Sequence, residues 1–276
     1  MNSKKTAIAV SLALALAATQ ALAAPTDVTP TNLQGWVLGD GSSGTSPATL
    51  TGDQAYQGNG SIQFTISATN QQPLAAYAFT TPLTVGSLLN SDMSFGYSYL
   101  LPNGSPPATS PTIRLLLSGL SNSTQSGRSD GSLGFYVNGA GDDTWHTESL
   151  SMTSGDFFFR VGGKGQEALG CGSGNYASSF DDRRQSLATW ASTCTGSGGT
   201  VNLADATVIG IEVDWGTIPN VSGPMSVYVD GINFNIGRNS GDFNFEASAN
   251  AVPEPGSIAL VGVALAGLGL ARRRKA

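Results

Sequence analysis

A single histidine, two cysteines and a charged fraction of only 12% set the first limits on this chain of 276 residues. One histidine, His146, rules out a zinc centre built on several imidazoles and leaves a Ser-His-Asp triad a single candidate base. Scarce Glu, Lys and Arg leave little material for amphipathic helices, whereas 36 glycines with many Ser, Thr and Asn suit short strands joined by polar turns. Between residues 24 and 251 lysine occurs once, as Lys164; seven of the 13 basic residues lie there against 18 of the 19 acidic ones, a net charge near −11. Nucleic acid and anionic membrane surfaces require clustered Lys and Arg, so this charge balance argues against both as partners of that region. Also missing are a C-x-x-C pair, a twelve-residue calcium loop, a dinucleotide fingerprint and any internal repeat.

What is present is clearest at the two ends. Lys4 and Lys5 precede an uncharged run from Thr6 to Ala18, and Ala21-Leu22-Ala23 follows as a small-x-small site. That is the layout of a secretory signal peptide over residues 1–23, with cleavage by signal peptidase expected after Ala23. At the other end Val252-Pro253-Glu254-Pro255-Gly256 leads into an uncharged stretch from Ser257 to Ala271, closed by Arg272, Arg273, Arg274 and Lys275. The basic cluster is a stop-transfer signal. Because cytoplasmic flanks favour Lys and Arg, it places everything before Pro253 outside the inner membrane. The apolar stretch predicts a short transmembrane helix, and its length and Gly/Ala content make it a weak permanent anchor.

The order Pro-Glu-Pro, short apolar helix and arginine cluster resembles the PEP-CTERM sorting tail of exopolysaccharide-producing Gram-negative bacteria. That resemblance covers residues 252–276 and implies processing by an exosortase, with Val252 to Gly256 as the recognition element. It further implies delivery to the cell surface or the extracellular matrix, and it says nothing of residues 24–251.

Within that body, strand-like runs recur between turn residues: Gly35 to Leu38, Ser61 to Ile66, Ala75 to Thr80, Met93 to Leu100, Thr112 to Leu117, Leu133 to Val137, Phe157 to Val161, Thr207 to Trp215 and Met225 to Phe234. With no long helix, the pattern predicts an all-β protein, an antiparallel β-sandwich, with one short helix over Ser186 to Ser192. The succession of Gly58-Asn59-Gly60-Ser61-Ile62-Gln63-Phe64, Asp143-Thr144-Trp145-His146-Thr147 and a closing Val227-Tyr228-Val229-Asp230-Gly231-Ile232-Asn233-Phe234 resembles the jelly-roll sandwiches of carbohydrate-binding modules and laminin-B-like domains. Such a resemblance implies one structural calcium between early and late strands, for which Asp40, Asp53 and Asp230 are the candidate ligands.

Cys171 and Cys194 both lie in the exported part, where an even pair reads as a disulfide, worth on the order of 3 kcal/mol by loop entropy. Gly127-Arg128-Ser129-Asp130-Gly131 matches a nucleophile elbow in letters only, since a polar stretch precedes it and a strand follows. Glu212 and Asp214, two apart on one strand, point the same way about 6.5–7 Å apart, close to the carboxyl separation of glycosidases. Ile211-Glu212-Val213-Asp214-Trp215 resembles the Glu-x-Asp strand of jelly-roll glycoside hydrolases, but Gly216 and Thr217 stand where that family's second glutamate is expected. Alternation alone explains the pair equally: Ile209, Ile211, Val213 and Trp215 take the core and the acids take solvent.

A sugar-binding face needs presented aromatic rings, and Trp36, Tyr56, Tyr136, Trp190 and Tyr228 are among those available. Tyr97, Tyr99 and Trp145 form the candidate ligand face; Tyr97 and Tyr99 share one side of a strand, so both are buried or both presented. The expectation is a non-enzymatic, surface-sorted sandwich that binds extracellular polysaccharide or another matrix component. Its alternatives are a glycoside hydrolase using Glu212 and Asp214, and a purely structural matrix protein.

Overall fold

Alternation in Ser61–Ile66 sets the pattern for the whole molecule: Ile62, Phe64 and Ile66 are buried while Gln63 and Thr65 are half-buried on the opposite side. The computed structural model describes residues 24–40, 48–67, 71–103, 108–120, 131–139, 141–151, 157–161, 184–194, 202–215 and 224–248. The expected signal segment, the sorting tail with Val252 to Gly256 and Arg272 to Lys275, Cys171 and Ser129 lie outside these residues. In chain order the strands are β1 (Thr26–Val28), β2 (Trp36–Asp40), β3 (Ala48–Thr51), β4 (Ser61–Ile66), β5 (Pro73–Thr84), β6 (Met93–Leu100), β7 (Ala108–Thr109), β8 (Thr112–Ser118), β9 (Gly131–Phe135), β10 (Asn138–Gly139), β11 (Trp145–Ser151), β12 (Phe158–Val161), β13 (Thr207–Asp214), β14 (Met225–Ile236) and β15 (Asn239–Phe245).

Two sheets carry the fold. The long β14 is the spine of a seven-stranded sheet: β4 then β3 pair along its first half, β15 then β1 along its second, and β6 then β11 along its other edge. The second sheet has six strands in the order β12-β9-β8-β13-β5-β2. All these pairings are antiparallel except β1 with β15, where the N-terminal strand runs parallel to the last one. The sheets bury their facing sides against each other: Tyr77 and Phe79 of the six-stranded sheet reach Phe234 of the other at 5.6 and 5.7 Å between ring centroids. Trp36 meets Phe243 and Phe245 edge-on at 5.5 and 5.3 Å. Among the described residues no helix is long and apolar enough to cross a membrane.

Every strand run expected from the sequence is present, and the molecule is a β-sandwich. The expected short helix is Leu187–Thr193, capped by the Ser186 hydroxyl and pinned by Trp190, whose ring nitrogen donates to the Phe157 carbonyl at 2.7 Å. Cys194 closes that helix and is buried.

Tyr97 and Tyr99 are corrected by the fold. Both face the core, Tyr97 at 0% and Tyr99 at 3% exposure, and neither is presented to a ligand. Tyr97 is buried because its hydroxyl finds partners inside, the Pro111 carbonyl at 2.6 Å and the Ser110 hydroxyl at 3.0 Å. Burial raises both phenol pKa values, Tyr99's to about 12. Tyr97→Phe strips these acceptors of their donor and is expected to cost about 1–2 kcal/mol, read from the midpoint of chemical denaturation; an unchanged midpoint would show that the hydroxyl contributes nothing.

Candidate functional site

Residues 52–60 connect β3 to β4 and are almost all exposed, yet their backbone is tied down from beneath. The Gln57 N–H donates to Asp230 Oδ2 at 3.1 Å and the Asn59 N–H to Glu246 Oε2 at 2.6 Å. Both carboxylates are fully buried. Asp230 Oδ1 also accepts from the N–H groups of Gly231 at 2.7 Å and Phe245 at 2.9 Å, so one side chain joins the loop, its own strand and the last strand. Gly58, at φ +64°, lies so close to the Glu246 carboxylate that any Cβ would collide with it. At the top of the loop the Ser61 hydroxyl donates to the Gln54 carbonyl at 2.7 Å.

This anchoring presents Tyr56. Pairing between β14 and β6 slips between Asp230 and Asn233, a bulge that Gly231 makes at φ +59°, and the Tyr56 ring rests over that glycine. Tyr56 is 40% exposed and Trp145, at the start of β11, is half-buried; their ring centroids are 5.5 Å apart at 51°. The Thr147 hydroxyl donates to the Tyr56 oxygen at 3.3 Å and meets Ser98 Oγ at 2.9 Å. Hydrogen bonds from Thr147 and then Ser98 hold the Tyr56 phenol below its ordinary pKa. Across the strands the row runs Trp145, Leu100, Tyr228, Gln63, and the Gln63 amide donates to the Tyr228 oxygen at 3.2 Å. The outer face of the seven-stranded sheet therefore carries two stepped aromatic rings flanked by hydroxyls and an amide. Flat apolar rings cover the C–H face of a sugar while hydroxyls and amides pair with its O–H groups. Trp145, one of the three residues named for a ligand face, stands on this surface half-buried; Tyr56, on a polar loop without periodicity, has no sequence signal beyond being aromatic.

The two strand carboxylates meet a different fate on the outer face of the other sheet. Arg114 on β8 lies opposite Glu212 on β13, and its Nη2 and Nε reach Asp214 Oδ2 at 2.8 and 2.9 Å and its Nε Glu212 Oε1 at 3.5 Å. Gln72 also donates to Asp214 Oδ2. The Phe158 ring covers the guanidinium at 5.4 Å, in space that Gly134 leaves by having no side chain. Glu212 and Asp214 do take the face opposite the core, but not solvent: their side chains are 13% and 0% exposed, because Arg114 draws them in. Burial and then the Asp214 charge push the Glu212 pKa up to about 7, against the opposing pull of Arg114. A glycosidase pair needs both carboxyls at the substrate, and Asp214 is out of reach.

His146 Nε2 lies 3.0 Å from both Asp142 oxygens and 3.1 Å from Thr144 Oγ1, and its ring stacks on Tyr99 at 5.4 Å. Among the described residues no group of three His, Cys, Asp or Glu is placed to hold a metal ion. Asp53 is exposed, the Asp40 side chain lies outside what is described, and the Asp230 oxygens face three N–H donors. Such donors suit an anion, and calcium at Asp230 would have to displace them.

Residues 251–275 match the family model of the PEP-CTERM protein-sorting motif. No curated protein matches the chain by sequence. Among solved structures the chain is similar to the family 11 carbohydrate-binding module from Clostridium thermocellum in complex with a β-1,3-1,4-mixed-linked tetrasaccharide, with a TM-score of 0.39 at 10% identity over 78% of this chain and 91% of that one. The xylan-binding domain from Paenibacillus barcinonensis gives 0.32 at 14% identity, over 74% and 86%. An endo-β-1,4-glucuronan lyase from Trichoderma reesei gives 0.39 at 9% identity, over 76% and 94%. At these values no site residue and no ligand is carried from them to this chain.

Arg114→Ala leaves Asp214 buried without its cation and is expected to cost about 3–5 kcal/mol; a loss below about 1 kcal/mol in denaturant melts would show the cluster to be structurally idle. The folded pKa values of Asp230, about 6, and Glu212, about 7, lie above those of the unfolded chain. Their stabilisation is therefore complete below about pH 4 and lost as pH rises through those two values. The melting temperature is expected to fall from about pH 5 to about pH 8, with Glu212→Gln flattening the upper part of the slope; a flat wild-type profile contradicts this.

Proposed function

We propose that this protein is exported, sorted to the cell surface by an exosortase, and binds polysaccharide there without turning it over. The observation that carries the binding is the Tyr56–Trp145 step, held open by a loop whose backbone is pinned to Asp230 and Glu246. Support for export comes from the sorting motif over residues 251–275 together with the signal-like start of the chain. Signal peptidase and exosortase are the processing partners, the inner membrane holds the tail before processing, and the extracellular matrix of a Gram-negative cell is the destination.

A hydrolase acting through Glu212 and Asp214 is a weaker reading, because Asp214 Oδ2 is held by Arg114 and Gln72 and the carboxylate is closed to solvent. A structural calcium near Asp230 belongs to the proposal only if the loop donors give way to it. A melt in millimolar calcium against chelator tests it, since a ligand of the folded state must raise the melting temperature.

Binding of the full chain to a panel of oligosaccharides is expected to weaken about tenfold or more in Trp145→Ala and in Tyr56→Ala, at unchanged melting temperature, for loss of one aromatic stacking partner. Reducing ends released from a bound polymer, and abolished by Glu212→Gln, would replace this reading with the hydrolase.

A further inference from the structure

The aromatic step stands in an acidic setting. Asp53, exposed, lies three residues before Tyr56 in the same pinned loop, and its charge, after burial, helps raise the pKa of Tyr228 in the row beside the step. Asp142 and Asp143 are exposed in the turn that leads into Trp145. Asp143 is fixed there by the Asn103 N–H at 2.7 Å, and its own N–H donates to the Leu101 carbonyl at 3.2 Å. Asp230 lies one residue before the glycine that carries the Tyr56 ring, and its charge acts on that phenol.

Among the described side chains, positive charge is remote from the step. Among the described residues the one Arg or Lys in the seven-stranded sheet and its turns is Arg238, in the turn after Ile236. Ile236 pairs with Met93, at the far end of β6 from Leu100, the partner of Trp145. Seven residue steps at about 3.3 Å put that turn roughly 23 Å from the platform, beyond two Debye lengths at physiological salt. His146, on the same strand as Trp145, is already engaged with Asp142 at 3.0 Å. Two arginines of the other sheet and its flank are engaged there, Arg114 with Glu212 and Asp214 and Arg184 over the Tyr136 ring at 4.0 Å.

We propose that the polymer this platform prefers carries free amino groups, a polysaccharide of non-acetylated amino sugars rather than a neutral glucan or a uronate polymer. This rests on the reading of Tyr56 and Trp145 as the binding surface. Aromatic faces attract ammonium groups through their negative π-clouds, and the surrounding carboxylates add a long-range attraction that reverses to repulsion for a uronate. The neutral polymer gains only the stacking.

The test titrates the full chain, in a non-ionic detergent without a sugar headgroup, with glucosamine oligomers, their N-acetylated form, glucose oligomers and oligogalacturonate, at one fixed pH and at low and high salt. The amino oligomer is expected to bind roughly tenfold more tightly than the acetylated one at low salt, with the gap closing at high salt. Asp53→Asn combined with Asp142→Asn brings the ratio of amino to neutral affinity toward one. Equal affinities at low salt, or a preference for glucose or galacturonate oligomers that Trp145→Ala removes, overturn the amino-sugar inference and leave the platform standing. Failure of every oligomer to bind, or binding untouched by Trp145→Ala, overturns the platform itself.

Discussion

Two carboxylates taken out of water, Asp230 and Glu246, decide what the outer face of the seven-stranded sheet presents. Asp230 spends its acceptor capacity on the backbone N–H groups of Gln57, Gly231 and Phe245, and Glu246 accepts from the Asn59 N–H and from the Asn244 side-chain amide. A buried charge is tolerated only when its lone pairs are filled. These bonds answer that need and in the same act stitch residues 52–60 to β14 and to the end of β15. The entropy of ordering an exposed loop is thereby spent on folding rather than on ligand capture, which is the sense in which Tyr56 is preorganised. The Asp230 carboxyl remains perturbed, raised to about 6 by burial first and opposed by its three N–H donors.

The two outer faces have opposite characters for reasons visible in single residues. On the six-stranded sheet Arg114, Glu212, Asp214 and Phe158 close over one another, and polar groups that alternation would leave wet become an internal ion cluster. Such clusters are costly to break and add little net stability when whole. On the seven-stranded sheet, the bulge at Gly231 leaves room for a ring to lie flat, and hydroxyls from Ser98 and Thr147 hold its phenol. One face is closed by charge pairing; the other is left open by a glycine.

The end of the described chain lies beside the platform loop. Ser248, the last described residue, accepts a hydrogen bond from the Asn59 amide at 3.4 Å, so the chain leaves the sandwich beside the loop that carries Tyr56. The matched sorting motif begins within three residues of that point.

Strand positions were legible in the residues because a period of two needs only local information: Ile62, Phe64, Ile66 and Ile211, Val213, Trp215 announce their buried face wherever they pair. The sorting motif was legible for the same reason, being a linear pattern of charge and apolar length, and so was the helix pinned by Trp190. β15 was not, since Asn-Ser-Gly-Asp-Phe-Asn-Phe offers two apolar side chains and becomes a strand only through its pairing with β14 and β1. The burial of Tyr97 and Tyr99, the capture of Glu212 and Asp214 by Arg114, and the presentation of Tyr56 beside Trp145 were decided by tertiary structure alone. Each depends on a distant partner, from 13 positions for Tyr97 and Ser110 to 173 for Gln57 of the Tyr56 loop and Asp230, and no local pattern encodes which distant strand will supply it.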